Sequence, residues 1–250
     1  MLPVLKISET FLLYTYPFFL GLSVAFLYSS AKQIYVEKFL SSKKFAVIFL
    51  VVFLSSWLGA KLLFLATNNL NVENLYNYSS FWLGGGFVFL GGLVTCLLFL
   101  VALHFFKVFN FLDIAFVLPS FAFAHAIGRL GCFLAGCCYG SITDASWAVH
   151  MHKAHRHPVQ LYEAVGLILL GLALKKLLER SASRINILMA YIGSYCALRF
   201  LIEIVRGDKV RGVFWGNLST SQIICLALVL LLSGGFAFRK IFFRDIKLGK

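Results

Sequence analysis

The fold class the sequence predicts is an all-α, polytopic membrane protein with seven transmembrane helices, its N-terminus outside and its C-terminus in the cytoplasm. Three observations predict it. Of 250 residues 60% are hydrophobic and only 13% charged, and the mean hydropathy is +0.87, a composition of the membrane class rather than of a soluble domain. Apolar runs of helical length recur along the chain. Lysine and arginine fall unevenly on the two sides of those runs.

The first run, residues 10–31, holds 22 uncharged residues, enough to cross a hydrocarbon core of about 30 Å as a helix. Only Lys6 precedes it and no small-residue cleavage site is evident, so it reads as a retained anchor rather than a signal peptide. Further runs follow at residues 45–67, 87–103, 114–127, 159–174, 185–205 and 218–238, of which the fourth is the shortest. The connections are short, with no internal repeat, so a single integral membrane domain over residues 1–250 is expected.

Fourteen lysines and arginines lie in the connections on one side of these spans, among them Lys43, Lys44, Lys175, Lys176 and the C-terminal set from Arg239 to Lys250; seven lie on the other. That bias gives the orientation stated above. The formal net charge of +13 is then mostly topology signal and attraction to an anionic bilayer, and no nucleic-acid partner is expected.

With this topology the unusual residues gather at the outer face. Gly84-Gly85-Gly86 and Gly91-Gly92 open the third span, and Arg129 closes the fourth. His157-Pro158-Val159-Gln160-Leu161-Tyr162-Glu163 opens the fifth, and Arg206 closes the sixth. Arg199, Glu203 and Arg206, at i, i+4 and i+7, share one helical face. Ionisable groups in hydrocarbon are costly and mark sites or pathways. An Arg199–Glu203 pair leaves a cation in excess near Arg129, and buried positive charge in excess calls for an anion. Lys61, inside the second span, reads equally well as a snorkelling side chain. His125, four residues before Arg129 on the same helical face, reads equally as a base or as a packing residue.

The stretch from Gly128 to Gly140 combines one arginine, four glycines and three cysteines. Cys132, Cys137 and Cys138, with His150, His152, His155 and His157 downstream, raise a zinc or copper reading, but the usual Cys-x2-Cys spacing is missing. A disulfide in an oxidising compartment and simple packed thiols stay open beside it. Cys96, Cys196 and Cys225 fall in apolar runs and read as small hydrophobes.

Several of these segments, in this order, resemble the prolipoprotein diacylglyceryl transferase family of bacterial inner membranes. They are Tyr16; Gly85 to Gly92; Gly128-Arg129-Leu130-Gly131 with Gly136 and Gly140; Arg156 through Glu163; Arg199-x3-Glu203-x2-Arg206; and Leu218 to Gln222. The resemblance implies a seven-span enzyme facing the outer side of the cytoplasmic membrane. It would transfer the diacylglyceryl group of phosphatidylglycerol to the lipobox cysteine of a prelipoprotein, forming a thioether and releasing glycerol phosphate. Its partners would be phosphatidylglycerol, the lipobox segment and the bilayer, without a metal or an organic cofactor. Arg129 and Arg199 would neutralise the leaving phosphate, and His125, His157 and Tyr162 are candidate bases, unless the arginine potential alone suffices. Tyr16, Gly91, Gly92, Gly131, Gly140, His157, Gln160, Tyr162, Glu163, Glu203 and Arg206 would line the substrates, with Glu203 orienting Arg199 or Arg206 and Glu163 making a local hydrogen bond at the start of its helix.

The chain departs from the family pattern at Leu90, where many members carry a histidine proposed as the base, and at Cys132 and Cys137, where asparagine and glutamate are common. The Leu90 substitution keeps open a silent paralogue that binds phosphatidylglycerol or prelipoprotein without turnover. A small anion transporter is disfavoured, because the cytoplasmic halves of the spans hold almost no polar residues.

Overall fold

The structure, a computed structural model, describes residues 4–6, 12–39, 41–68, 89–207 and 218–230. Gly84 to Gly86, the side chain of Leu90 and the C-terminal basic segment lie outside the described residues. Among the described residues the chain is mostly helical: α1 Thr15–Phe39, α2 Ser42–Asn68, α3 Phe89–Phe105, α4 Leu118–Ala135, α5 Val159–Glu179, α6 Arg184–Val205 and α7 Thr220–Leu230. Three of them, over Ser42–Ala66, Leu118–Ala135 and Arg184–Val205, are long and apolar enough to cross a membrane. Gly91–Phe105 and Thr220–Leu230 are shorter apolar helices.

Two short antiparallel hairpins qualify the all-α expectation. Strand β1 (Val4–Lys6) pairs with β2 (Leu12–Tyr14), which is why α1 starts at Thr15 and not at residue 10. Strands β3 (Val149–Met151) and β4 (Ala154–Arg156) pair with His150 opposite His155. Their turn is made by His152 and Lys153 at φ 50° and 62°, the left-handed pair of a two-residue hairpin whose twist matches its strands.

The fourth apolar run also resolves differently from expectation. Residues 111–116 form a 3-10 helix whose Asn110 side chain accepts the Leu112 N–H, and α4 begins only at Leu118, with Pro119 in its first turn. It then runs through Gly128 and Arg129 to Ala135, so Arg129 lies inside the helix rather than at its close. A helical glycine costs only about 1 kcal/mol. The stop comes at Gly136, whose φ of 77° lets its N–H turn back to the Cys132 and Phe133 carbonyls.

Packing places α4 between α1 and α5, with α6 on the far side of α5 and the α2–α3 pair to one side. Small residues set the close approaches, as expected where apolar burial alone gives helices no reason to associate. Ser23 of α1 donates to the Ala124 carbonyl at 2.6 Å, and Gly131 lies against Phe19. Gly166 of α5 faces Leu198 of α6, and a Cβ on Gly59 of α2 would sit 2.7 Å from the Gly91 carbonyl of α3. Thr95 of α3 adds a bond to the Ser55 carbonyl at 3.0 Å. Gly59→Val is expected to push α2 and α3 apart and cost about 1–3 kcal/mol; an unchanged thermal midpoint in micelles would contradict this packing.

Ala115, Leu118, Leu170, Leu174 and Ile187 lock the start of α4 to the adjoining ends of α5 and α6, where Arg184 also pairs with Asp113. Large apolar side chains such as Leu54, Leu58, Leu98, Leu169, Leu201 and Ile204 point outward, the pattern of surfaces that meet lipid. Beyond Gly136 the chain crosses to α5 as a small cap. Ser141 N–H bonds the Val205 carbonyl at 2.8 Å and Gly207 N–H the Tyr139 carbonyl at 3.1 Å. Gly140 bridges Arg206 and Ile142 bridges Arg156, so the cap is stitched to the end of α6.

Candidate active site

The ionisable residues of three helices meet under this cap. Position 163 falls on the buried face of α5, where Glu163 is 2% exposed. Its Oε1 accepts from Arg129 Nη2 of α4 at 2.9 Å and its Oε2 from Arg199 Nη1 of α6 at 3.4 Å. The Tyr195 hydroxyl approaches Oε1 at 3.5 Å, and His125 Nε2 lies 3.9 Å away. One carboxylate therefore ties α4, α5 and α6 together. Glu163 bridges helices instead of making the expected local bond at the start of α5, because its side chain points to Arg129 of α4 and Arg199 of α6.

A second carboxylate continues the chain of charge. Glu203 Oε2 is 2.7 Å from Arg199 Nη2 and 3.7 Å from Arg206 Nη1, so it orients both arginines, as the i, i+4, i+7 spacing suggested. Arg199 Nη2 also reaches the Ser221 hydroxyl of α7 at 3.3 Å. Three guanidiniums, Arg129, Arg199 and Arg206, thus share two carboxylates. Among the described residues this cluster holds one positive charge in excess, and the Arg129 Nε is buried without a hydrogen-bond partner. Buried, forked donors with charge to spare are suited to an oxyanion such as a phosphate.

His125 lies between the Phe121 and Tyr195 rings, at centroid distances of 6.3 and 5.6 Å, and its Nδ1 is buried without a partner. Tyr195 was not among the sequence candidates. Its signal was available, since it lies four residues before Arg199 on the face that carries Glu203.

The other sequence candidates separate into three groups. His157 and Tyr162 meet at 3.2 Å from Nδ1 to the hydroxyl, and Trp147, which sequence reasoning missed, donates its indole N–H to the same hydroxyl at 2.7 Å. Together they make an aromatic, polar rim above the start of α5. Gln160, 1% exposed, turns to the cap and donates to the Cys137 carbonyl at 2.6 Å. Gly140 sits against His157 and Val159, where a Cβ would come within 2.7 Å of the His157 Cβ.

Gly91 and Gly92 lie apart from the arginine cluster in their contacts, packed on Gly59, Leu63, Ser56 and Ala60 of α2. Tyr16 sits one turn before Phe19 on α1, which runs antiparallel to α4, and this carries it toward the end of α4. There it is within electrostatic reach of Arg129, Cys132, Cys137 and Cys138. Lys61 is buried, with its ammonium 5.9 Å from the Trp57 ring centroid.

The three neighbouring cysteines, spread over seven residues, converge in space. The Sγ atoms of Cys132, Cys137 and Cys138 all lie within 4.8 Å of one another, and all three are free thiols. The Cys137 thiol donates to the Cys132 carbonyl at 3.6 Å.

Comparison with known proteins supplies the relatives of this chain. A phosphatidylglycerol–prolipoprotein diacylglyceryl transferase of Clostridium tetani is 32% identical over 187 residues, covering 70% of this chain and 72% of its own. One of Clostridium perfringens is 29% identical over 231 residues, 87% of this chain and 88% of its own. One of Methylococcus capsulatus is 33% identical over 186 residues, 66% and 70%. The profile of the prolipoprotein diacylglyceryl transferase family matches residues 3–238, and the chain belongs to that family.

Proposed function

We propose that this protein transfers the diacylglyceryl group of phosphatidylglycerol to the lipobox cysteine thiol of prelipoproteins, in the membrane, as the enzymes it resembles are named for doing. The observation that carries this for the chain itself is the Arg129–Glu163–Arg199–Glu203–Arg206 network, which gathers buried, forked donors and leaves the Arg129 Nε without a hydrogen-bond partner. In the transfer a thiolate sulfur attacks the glyceryl carbon that bears the phosphate. A C–S bond forms, the C–O bond breaks, and the electron pair leaves on the oxygen of glycerol phosphate. Charge therefore grows on a phosphate, and preformed guanidinium donors in a site of low dielectric stabilise that growth. Arg129 and Arg199 hold the phosphate, while Glu163 and Glu203 fix their forks.

The acceptor thiol, ordinarily near pKa 8.5, must lose its proton. His125, set against Glu163, is the candidate base within this network. His125→Gln is expected to lower kcat by about 100-fold or more and to flatten its rise with pH; a variant within a few-fold of wild type would assign the proton transfer elsewhere. Cys132, Cys137 and Cys138 take no step in the reaction. Replacing all three by serine is expected to leave substantial transfer activity, and complete loss would contradict that reading.

The same proposal covers the topology. Seven spans in a single domain, an outside N-terminus and a cytoplasmic C-terminus put the network and the His157–Tyr162–Trp147 rim at the outer leaflet of a bacterial cytoplasmic membrane. Prelipoproteins and phosphatidylglycerol both reach that leaflet. The lysine and arginine bias supports this orientation. Rescue of a bacterium depleted of its own transferase tests the function in the cell. Growth with lipid-modified lipoproteins is expected; unmodified precursors despite normal membrane insertion would contradict it and favour the silent paralogue.

A further inference from the structure

Cys132 sits in the last turn of α4, and the chain reverses directly after it. Gly136 takes φ 77°, Cys137 N–H returns to the Cys132 carbonyl at 3.1 Å, and Cys138 takes φ 55°. The reversal folds positions i+5 and i+6 back over position i, which is how a spacing unlike Cys-x2-Cys gathers three sulfurs within 4.8 Å. In a tetrahedral site with metal–sulfur bonds of about 2.3 Å, sulfur atoms lie roughly 3.8 Å apart. Each pair needs to close by no more than about 1 Å, which side-chain rotation supplies.

The turn is held from outside in the way that metal-ligand loops are held. Gln160 donates to the Cys137 carbonyl at 2.6 Å, His152 Nε2 meets the Gly136 carbonyl at 2.7 Å, and Arg156 Nη1 donates to the Gly140 carbonyl at 3.2 Å. A non-glycine residue at positive φ is strained and is retained where the surroundings fix it. Burial is graded: Cys132 is buried, Cys138 intermediate and Cys137 exposed, so an ion reaches the cluster through the Cys137 side.

We propose that Cys132, Cys137 and Cys138 form a three-sulfur binding site for a thiophilic d10 cation, zinc in particular, with a fourth coordination position open to water. Thiolate donors select such ions over oxygen-seeking ones. Binding converts the thiols to thiolates and releases their protons. Three thiolates and a dication leave one negative charge, placed one turn from Arg129 on α4 and beside Arg206, whose backbone bridges Gly140. Those cations favour the anionic complex.

The test uses the purified full-length protein in micelles, reduced and equilibrated with zinc. One equivalent bound per chain is expected, with three sulfur neighbours at about 2.3 Å by X-ray absorption and a thiolate-to-metal charge-transfer band after cobalt substitution. Cys137→Ser, at the exposed member, is expected to weaken binding by about 100-fold or more, while serine at Cys96, Cys196 and Cys225 together leaves it unchanged. Failure of the reduced wild type to bind zinc, fewer than three sulfur neighbours, or undiminished binding by Cys137→Ser would each overturn the proposal.

Discussion

Arg129→Ala is expected to reduce transfer by about 1,000-fold, and Arg199→Ala by a similar factor, with insertion and helix content unchanged. The magnitude follows from removing a preformed charged donor where negative charge develops, typically 10²–10³ and more where the donor is a guanidinium. The network explains why folding should survive. Without Arg129, Glu163 keeps Arg199 at 3.4 Å; without Arg199, it keeps Arg129 at 2.9 Å. In the second case Glu203 keeps Arg206 at 3.7 Å. Neither variant strands a buried carboxylate, but each removes a forked cationic donor from the place where the phosphate would bind. Arg129→Lys restores charge without the fork, so partial recovery is expected. Initial rates of adduct formation decide the matter, and near-normal rates in both alanine variants would remove the phosphate assignment.

Glu163→Gln is the reverse case, and its expected effect is on stability. The change keeps the volume but leaves Arg129 and Arg199 facing one neutral group, where breaking a buried pair typically costs about 3–5 kcal/mol. The loss is expected as a lower midpoint of denaturant unfolding in micelles. It also predicts a particular rescue. An anion that binds the folded state stabilises it by mass action, so phosphatidylglycerol should raise the midpoint of Glu163→Gln more than that of wild type. An unaltered midpoint, or no difference between phosphatidylglycerol and a zwitterionic lipid, would show that Glu163 is not the keystone of the cluster.

Glu163 also marks the boundary of what the sequence makes legible. Arg199, Glu203 and Arg206 declared their association through helical spacing, since the first two sit on α6 and Arg206 caps its end. The partnership of Glu163 with Arg129 and Arg199 joins α4, α5 and α6, and no spacing within one segment encodes contacts between helices. Tyr195 was missed for the same reason, although its position before Arg199 hinted at it. Helix limits read well where charge or glycine at the ends coincided with the edge of the apolar run, as in α2 and α6. They failed at α4, where Gly128 and Arg129 looked like a terminus and the true stop was Gly136. The three cysteines stood out in the sequence as a group, but their convergence in space did not, because it depends on left-handed backbone at Gly136 and Cys138 and not on a recognisable ligand spacing.

The measurement that tests the account most directly is transfer by the purified protein in phosphatidylglycerol micelles, with a lipobox peptide as acceptor and mass spectrometry as the readout. The account predicts a diacylglyceryl adduct on the peptide cysteine, lost in Arg129→Ala and Arg199→Ala. Absence of adduct under conditions where a control transferase works and this protein binds the lipid would contradict it. Such a result would mean that the arginine network holds phosphatidylglycerol without turning it over.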